Sequence, residues 1–112
     1  IDRYVSEGNI LFFDITAEWC MTCKVNKYFV LDTKEIKNIF YKEKITYVKI
    51  DWTKRDPRVL EFLMSIDRSG IPLNIVYGKL APEGIILPEI LSKDVVYRAI
   101  DIVKGSDSFG NQ

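Results

Sequence analysis

The sequence predicts an α/β fold, a mixed and roughly four-stranded sheet flanked by helices. Three observations carry that expectation. Residues 9–16 (NILFFDIT) form a continuous apolar run of strand length, as a strand buried on both faces does. Strand-like segments then alternate with helical ones in the first half of the chain, which favours parallel pairing through right-handed crossovers. In the second half, two β-rich segments are joined by a short turn, which favours an antiparallel pair.

The elements follow in order. Residues 9–16 are the first strand, interrupted by Asp14. A helix starts near Cys20 and is expected to carry Val25, Tyr28 and Phe29 on its inner side. A second helix follows with Asp32 as N-cap and Glu35 three residues on, in the manner of a capping box. Its apolar positions Ile36, Ile39 and Phe40 have helical spacing. Residues 45–52 (ITYVKIDW) alternate and are rich in β-formers, a second strand. Asp56-Pro57 opens another helix, Asp as N-cap and Pro at the first helical position, with Val59, Leu60, Leu63 and Met64 as its buried stripe. Ser69-Gly70-Ile71-Pro72 breaks the pattern before a third strand at 73–77. Gly78 and Pro82-Glu83-Gly84 mark a turn, and Ile85-Ile86-Leu87 a short fourth strand. Ser92 caps a last helix that turns Val95, Val96, Ala99, Ile100 and Val103 inward. The polar tail 105–112 is expected to be loose.

At 112 residues the chain is read as one domain, 1–112, with its core at about 8–104. That length buries a core without a disulfide scaffold. Sixteen acidic and 16 basic side chains balance, and the absence of a Lys/Arg cluster argues against a nucleic-acid surface. No apolar run reaches the roughly 20 residues that span a bilayer, and nothing resembles a signal peptide. The chain begins at Ile1, as a processed product or an excised domain does, so missing targeting signals say little about a parent protein. Histidine is absent, which removes the usual general base and the commonest metal ligand.

The chemistry lies in Glu18-Trp19-Cys20-Met21-Thr22-Cys23-Lys24, which holds the only two cysteines. Three readings compete. A structural disulfide across so short a loop restricts the unfolded chain little. A closed zinc site wants four ligands and finds two, although a soft ion on two thiolates stays open. A redox pair fits the position better. After a buried strand, the first sulfur sits at a helix N-terminus, where unpaired N–H groups and the dipole favour a thiolate. The pKa there can fall from about 8.5 to roughly 3.5–7.5. The second cysteine, one turn on, is within reach to resolve a mixed disulfide.

The run Phe13-Asp14-Ile15-Thr16-Ala17-Glu18-Trp19-Cys20-Met21-Thr22-Cys23-Lys24 resembles the active-site segment of the thioredoxin-like family. Gly70-Ile71-Pro72 is similar to the family's loop whose proline is cis and faces the cysteines. Cys-Lys-Val-Asn at 23–26, Asp-Trp-Thr-Lys-Arg-Asp-Pro at 51–57 and Ile-Leu-Pro-Glu-Ile-Leu at 86–91 narrow the likeness. They resemble the C-terminal periplasmic domains of the transmembrane thiol:disulfide interchange proteins (DsbD).

The resemblance implies a protein-disulfide reductase that relays electrons by dithiol/disulfide exchange. Cys20 would be the exposed nucleophile and Cys23 the more buried resolving thiol. Asp14 would be a buried acid of raised pKa that takes the proton of Cys23. Trp19, Ile71 and Pro72 would form the substrate-binding surface, with the backbone of Ile71 pairing with an incoming chain. Met21 and Thr22 help set the redox poise. Lys24 and Lys49 are solvated charges, Lys49 within reach of the site if the register of the second strand allows it.

The implied partners are protein disulfides and dithiols of redox domains, and a membrane domain of the parent that recharges the pair. The implied reactions serve disulfide isomerases or cytochrome c maturation. The implied location is the periplasm, tethered to the inner membrane. The isolated domain is expected to be a monomer without organic cofactor or metal. The alternatives are a stand-alone thioredoxin, a reductase linked to copper tolerance, or a redox-inactive module that binds copper or a client protein. One departure stands out. The interchange proteins often carry Glu seven residues after the first cysteine, where this chain has Lys27; a cation there is expected to lower the thiol pKa.

Overall fold

The computed structural model describes residues 2–68 and 70–104, so the expected loose tail at 105–112 lies outside the described residues. Its sheet has the strand order β2-β1-β3-β4. β1 (Leu11–Thr16) is central, which explains its apolar run on both faces, interrupted at Asp14. It pairs in parallel with β2 (Thr46–Asp51), Leu11 opposite Thr46 and Thr16 opposite Asp51. It pairs antiparallel with β3 (Leu73–Gly78), Leu11 opposite Tyr77 and Ile15 opposite Leu73. β3 in turn pairs antiparallel with β4 (Ala81–Ile86). The mixed sheet therefore has the expected parallel first half and antiparallel second half. β2 is an edge strand and shows the edge signature, half-buried and exposed residues in strict alternation.

Two apolar layers sandwich the sheet. Phe12 and Val76 face one layer with Val30, Ile36, Val96 and Ile100. Leu11, Ile15, Leu73 and Ile75 face the other with Trp52 and Leu63. A short helix that periodicity did not announce, α1 (Asp2–Ser6), adds the fully buried Val5 to this second layer, upstream of the expected core.

Several local expectations are corrected. α2 (Met21–Asn26) continues into a π-helical turn (Lys27–Leu31). The turn is closed by Asp32 N–H donating to Lys27 O over five residues (2.7 Å). Val25, Tyr28 and Phe29, expected inside, are exposed; the buried face is Cys23, Asn26, Val30 and Leu31. These four positions are spaced i, i+3, i+7 and i+8, one helical stripe, and the exposed Val25, Tyr28 and Phe29 form the stripe opposite. The cap of α3 (Lys34–Lys42) is also displaced. Thr33, not Asp32, accepts from Ile36 N–H (3.4 Å). Asp32 instead ends the π turn and pairs with Lys27 (3.4 Å) and Lys37 (3.5 Å).

α4 (Pro57–Ser65) starts as expected, Asp56 accepting from Arg58 N–H (2.8 Å). Its buried stripe is Leu63 with the half-buried Val59 and Phe62, whereas Leu60 and Met64 face solvent. The turn between β3 and β4 is Lys79-Leu80. Pro82 and Gly84 lie inside β4, which tolerates a proline because it is an edge strand. Gly84 has φ +93°, and a Cβ there would sit 2.6 Å from Ile75 Cγ2, beside an irregularity in the β3–β4 register. α5 (Lys93–Lys104) is capped by Ser92, whose Oγ accepts from Val95 N–H (3.2 Å), and buries Val96, Ala99, Ile100 and Val103. It lies so close to β3 that a Cβ on Gly78 would come within 2.5 Å of Val103 Cβ. Among the described residues, no helix is long and apolar enough to cross a membrane.

Candidate functional site

The cysteine pair sits where β1 gives way to α2. Cys20 is the N-cap of α2, with extended backbone (φ −94°, ψ 101°). Its Sγ accepts the N–H of Cys23 (3.1 Å), one of the donors that a helix start leaves unpaired. A disulfide joins Cys20 to Cys23, with Cα atoms 5.3 Å apart. The expected contrast between an exposed Cys20 and a buried Cys23 is absent: each residue is 6% exposed. Ala17 and Ile71 pack around both, which is the reason. The Ile71–Pro72 bond is cis and Pro72 is buried; through Ile71 the loop before β3 packs against the cysteine pair.

Asp14, only 7% exposed, lines the same cavity as Cys23. Its register partner on β2 is Lys49, which brings that lysine to the site. Tyr47 Oη, two residues earlier on β2, donates a hydrogen bond to Asp14 Oδ2. Burial raises the Asp14 pKa, because the charged form loses solvation. The Tyr47 hydroxyl and the charges of Lys49 and Lys27 work against that rise without cancelling it. Tyr47 is itself pushed upward by burial and by Asp14, so it remains a protonated donor. A cavity of about 300 Å³ connects these groups, lined by Asp14, Cys23, Lys27, Tyr47 and Lys49 among others. The buried acid and Cys23 thus line one cavity, together with three lysines. A buried carboxyl of raised pKa that shares a cavity with a cysteine is a candidate acid/base for that sulfur.

The remaining expected site residues are placed differently. Trp19 is 44% exposed and belongs to the loop after β2 as much as to the cysteines. Its Nε1–H donates to Thr53 O (3.0 Å), its ring lies 6.0 Å from that of Trp52, and the Arg55 guanidinium covers it at 4.3 Å. Met21 is exposed at the start of α2 and Thr22 is half-buried; Lys24 is a solvated charge. Among the described residues, no group of three or more Cys, Asp or Glu side chains is arranged to hold a metal ion.

Three supporting residues escaped the sequence reading. Asn26 is 2% exposed, and its amide bridges Glu89 O (2.8 Å) and Leu91 N–H (3.0 Å), which ties α2 to the segment before α5. Its signal was its place one turn after Cys23, on the same face. Tyr47 read as a strand-former, and only the Asp14–Lys49 register reveals that it reaches the acid. Asn74 is a buried amide in a strand whose other residues are Leu, Ile, Val, Tyr and Gly, and that polar interruption was visible in the sequence.

The fold that carries this site has parallels among solved structures. The fold is similar to the oxidised C-terminal domain of DsbD from Neisseria meningitidis, at 20% identity and a TM-score of 0.69, covering 91% of this chain and 88% of that one. The reduced form of that domain matches at 22% identity and 0.65, covering 87% and 84%. A thioredoxin from Thermus thermophilus matches at 15% and 0.69, covering 95% and 83%. At such identities the likeness shows the fold. No curated protein matches the chain. The sequence model described as thioredoxin-like matches residues 5–79, two-thirds of the chain including both cysteines and the Ile71-Pro72 loop, and the chain belongs to the thioredoxin-like family.

Proposed function

We propose that the chain is a protein-disulfide reductase that relays two electrons through Cys20 and Cys23, as the C-terminal domain of a membrane disulfide reductase of the DsbD kind. The observation that carries this reading is the disulfide-forming pair at the start of α2, with Ile71 of the cis-proline loop packed against it and the buried Asp14 in the cavity that Cys23 lines. In the reduced chain the Cys20 thiolate attacks a partner's disulfide. A mixed disulfide forms, and one partner sulfur leaves as a thiolate. Cys23 then gives its proton to Asp14 and attacks Cys20 Sγ. The Cys20–Cys23 bond forms, the mixed disulfide breaks, and the second partner sulfur leaves with the electron pair. Two electrons have passed to the partner.

Partners are redox domains that carry a disulfide or a dithiol, and a membrane domain of the parent returns the chain to its reduced form. Trp19, Ile71 and Pro72 receive the partner, the backbone of Ile71 pairing with its chain. Contact is brief, because an electron carrier has to leave. The reaction uses no organic cofactor and no metal. The domain acts as a monomer in the periplasm, held at the inner membrane by the rest of the protein.

The test is catalysed reduction of insulin disulfides by dithiothreitol. Turnover that disappears in Cys20→Ser supports the reading. Absent turnover together with stoichiometric Cu(I) binding, or stable retention of a client protein, would replace it with a binding module.

A further inference from the structure

β2, β1 and β3 lie side by side, and their register puts Lys49, Asp14 and Asn74 in one row across the sheet. Directly paired residues project to the same face, with Cβ atoms about 4.5–5.5 Å apart. The row runs from an exposed lysine through a buried acid to an amide that is 2% exposed. The Oδ1 of Asn74 is buried and has no hydrogen-bond partner among the described residues. A buried carbonyl without a donor is costly, and a native fold keeps few of them. The Tyr47 hydroxyl is committed to Asp14 Oδ2, and the side chains of Lys27 and Lys37 are mostly exposed and paired with Asp32. Lys49 is the row's other donor, but β1 lies between it and Asn74, two strand spacings or about 9–10 Å across the sheet, so the donor next to Asn74 in the row is the proton that comes and goes on the Asp14 carboxyl.

We propose that Asn74 is a positioning residue whose Oδ1 accepts the proton carried by Asp14, holding the neutral acid in the cavity that Cys23 lines, with Tyr47 donating to its other oxygen. The proposal deepens the role given to Asp14 under the reductase reading and rests on that reading for its link to turnover. In the resolving step the S–H proton of Cys23 passes to the Asp14 oxygen that faces Asn74. The Cys23–Cys20 bond forms, and the electron pair of the broken mixed disulfide leaves on the partner's thiolate. The proton later departs to water through the cavity.

The other groups facing Asp14 act in known directions. Lys49 and Lys27 favour the carboxylate, as does the Tyr47 hydroxyl. Lys37 and Asp32 line the same cavity with opposite charges, and Cys23 is neutral in the disulfide. Asn74, as an acceptor, is the one side chain in the row that favours the protonated form.

The experiment is a ¹³C NMR titration of the Asp14 carboxyl in the oxidised protein, wild type against Asn74→Leu, with Asn74→Ala as a second variant. Loss of an acceptor lowers the Asp14 midpoint by about 0.4 to 1 pH unit. The apolar replacement by itself acts in the opposite sense, since deeper burial raises the midpoint. A fall in both variants supports the proposal. An unchanged or raised midpoint overturns it, the rise meaning that the amide presents its N–H₂ to a carboxylate. Because the oxidised protein has no thiol, this outcome is independent of whether Asp14 serves turnover. The pH profile of insulin reduction reports that separately: it should shift to lower pH in Asn74→Leu, and an unshifted profile alongside a lowered midpoint would break the link to turnover alone.

Discussion

Replacing Asn26 with alanine tests whether the cysteine-bearing helix is held from behind by one amide. The wild-type side chain makes two hydrogen bonds at 2% exposure, to Glu89 O and from Leu91 N–H. Their losses are unequal. Leu91 is itself buried, so its N–H is left without a partner, at about 1–3 kcal/mol. Glu89 is exposed, so its carbonyl regains water and the loss is the ordinary net worth of a hydrogen bond, about 1 kcal/mol. Together the substitution costs about 2–4 kcal/mol, a large share of the stability of a domain this size. The assay is urea unfolding of the oxidised protein at fixed pH, read as a shift in midpoint at constant slope. In a thermal scan the same loss lowers Tm by about 8–16 °C. Asn38→Ala on the exposed face of α3 is the control, expected within about 0.5 kcal/mol of wild type. If Asn26→Ala costs no more than Asn38→Ala, the bridge does not hold the helix and the reasoning fails.

Three further outcomes are expected. Asp14 binds its proton more tightly in the folded than in the unfolded chain. Folding therefore loses stability as pH rises from the ordinary value of 3.8 through the raised one, and the loss is complete above it. Asp14→Asn is thus more stable than wild type at pH 8, with the gap closing in acid. The same variant slows disulfide reduction by about a hundredfold, and a stability gap that grows as pH falls would reverse the sign of the argument. Tyr47→Phe removes a donor to the carboxylate, so the Asp14 midpoint moves further up in a ¹³C titration; a downward move would contradict the assigned hydrogen bond. Lys27→Glu replaces a cation that stabilises the carboxylate with an anion, so the Asp14 midpoint rises, and in the reduced protein the Cys20 thiol titrates higher. Identical thiol curves would dismiss the effect of Lys27 on the pair.

The fold was legible where one physical cause dominates. The apolar run of β1, broken at Asp14, and the alternation of β2 follow directly from a buried and an edge position. Asp56-Pro57 and Ser92 announced their helices because capping chemistry is local. Tertiary packing overrode the rest. Val25, Tyr28 and Phe29 form one apolar stripe at helical spacing but point outward, because the opposite stripe, Cys23, Asn26, Val30 and Leu31, is the one held against the core, and periodicity alone does not choose between the two. Pro82 and Gly84 read as a turn although they lie in a strand, since only the sheet order makes that strand an edge. At the site, Cys20, Cys23, Asp14 and Pro72 stood out through sequence pattern. Tyr47 did not, and Asn74 showed only as a polar interruption of its strand, because their closeness to Asp14 comes from cross-strand register rather than chain distance. Equal burial of the two cysteines was likewise invisible, being imposed by Ile71 from far along the chain.

The equal burial makes the direction of attack the most exposed part of the account, because accessibility alone does not choose between the sulfurs. Trapping decides it. Reduced Cys23→Ser is mixed with a disulfide-bonded peptide at neutral pH, and the products are mapped by mass spectrometry after proteolysis. The account predicts a one-to-one adduct through Cys20 that accumulates because nothing resolves it, while Cys20→Ser forms none at a comparable rate. Failure of Cys20 to form an adduct, or equal capture through Cys23, would contradict it.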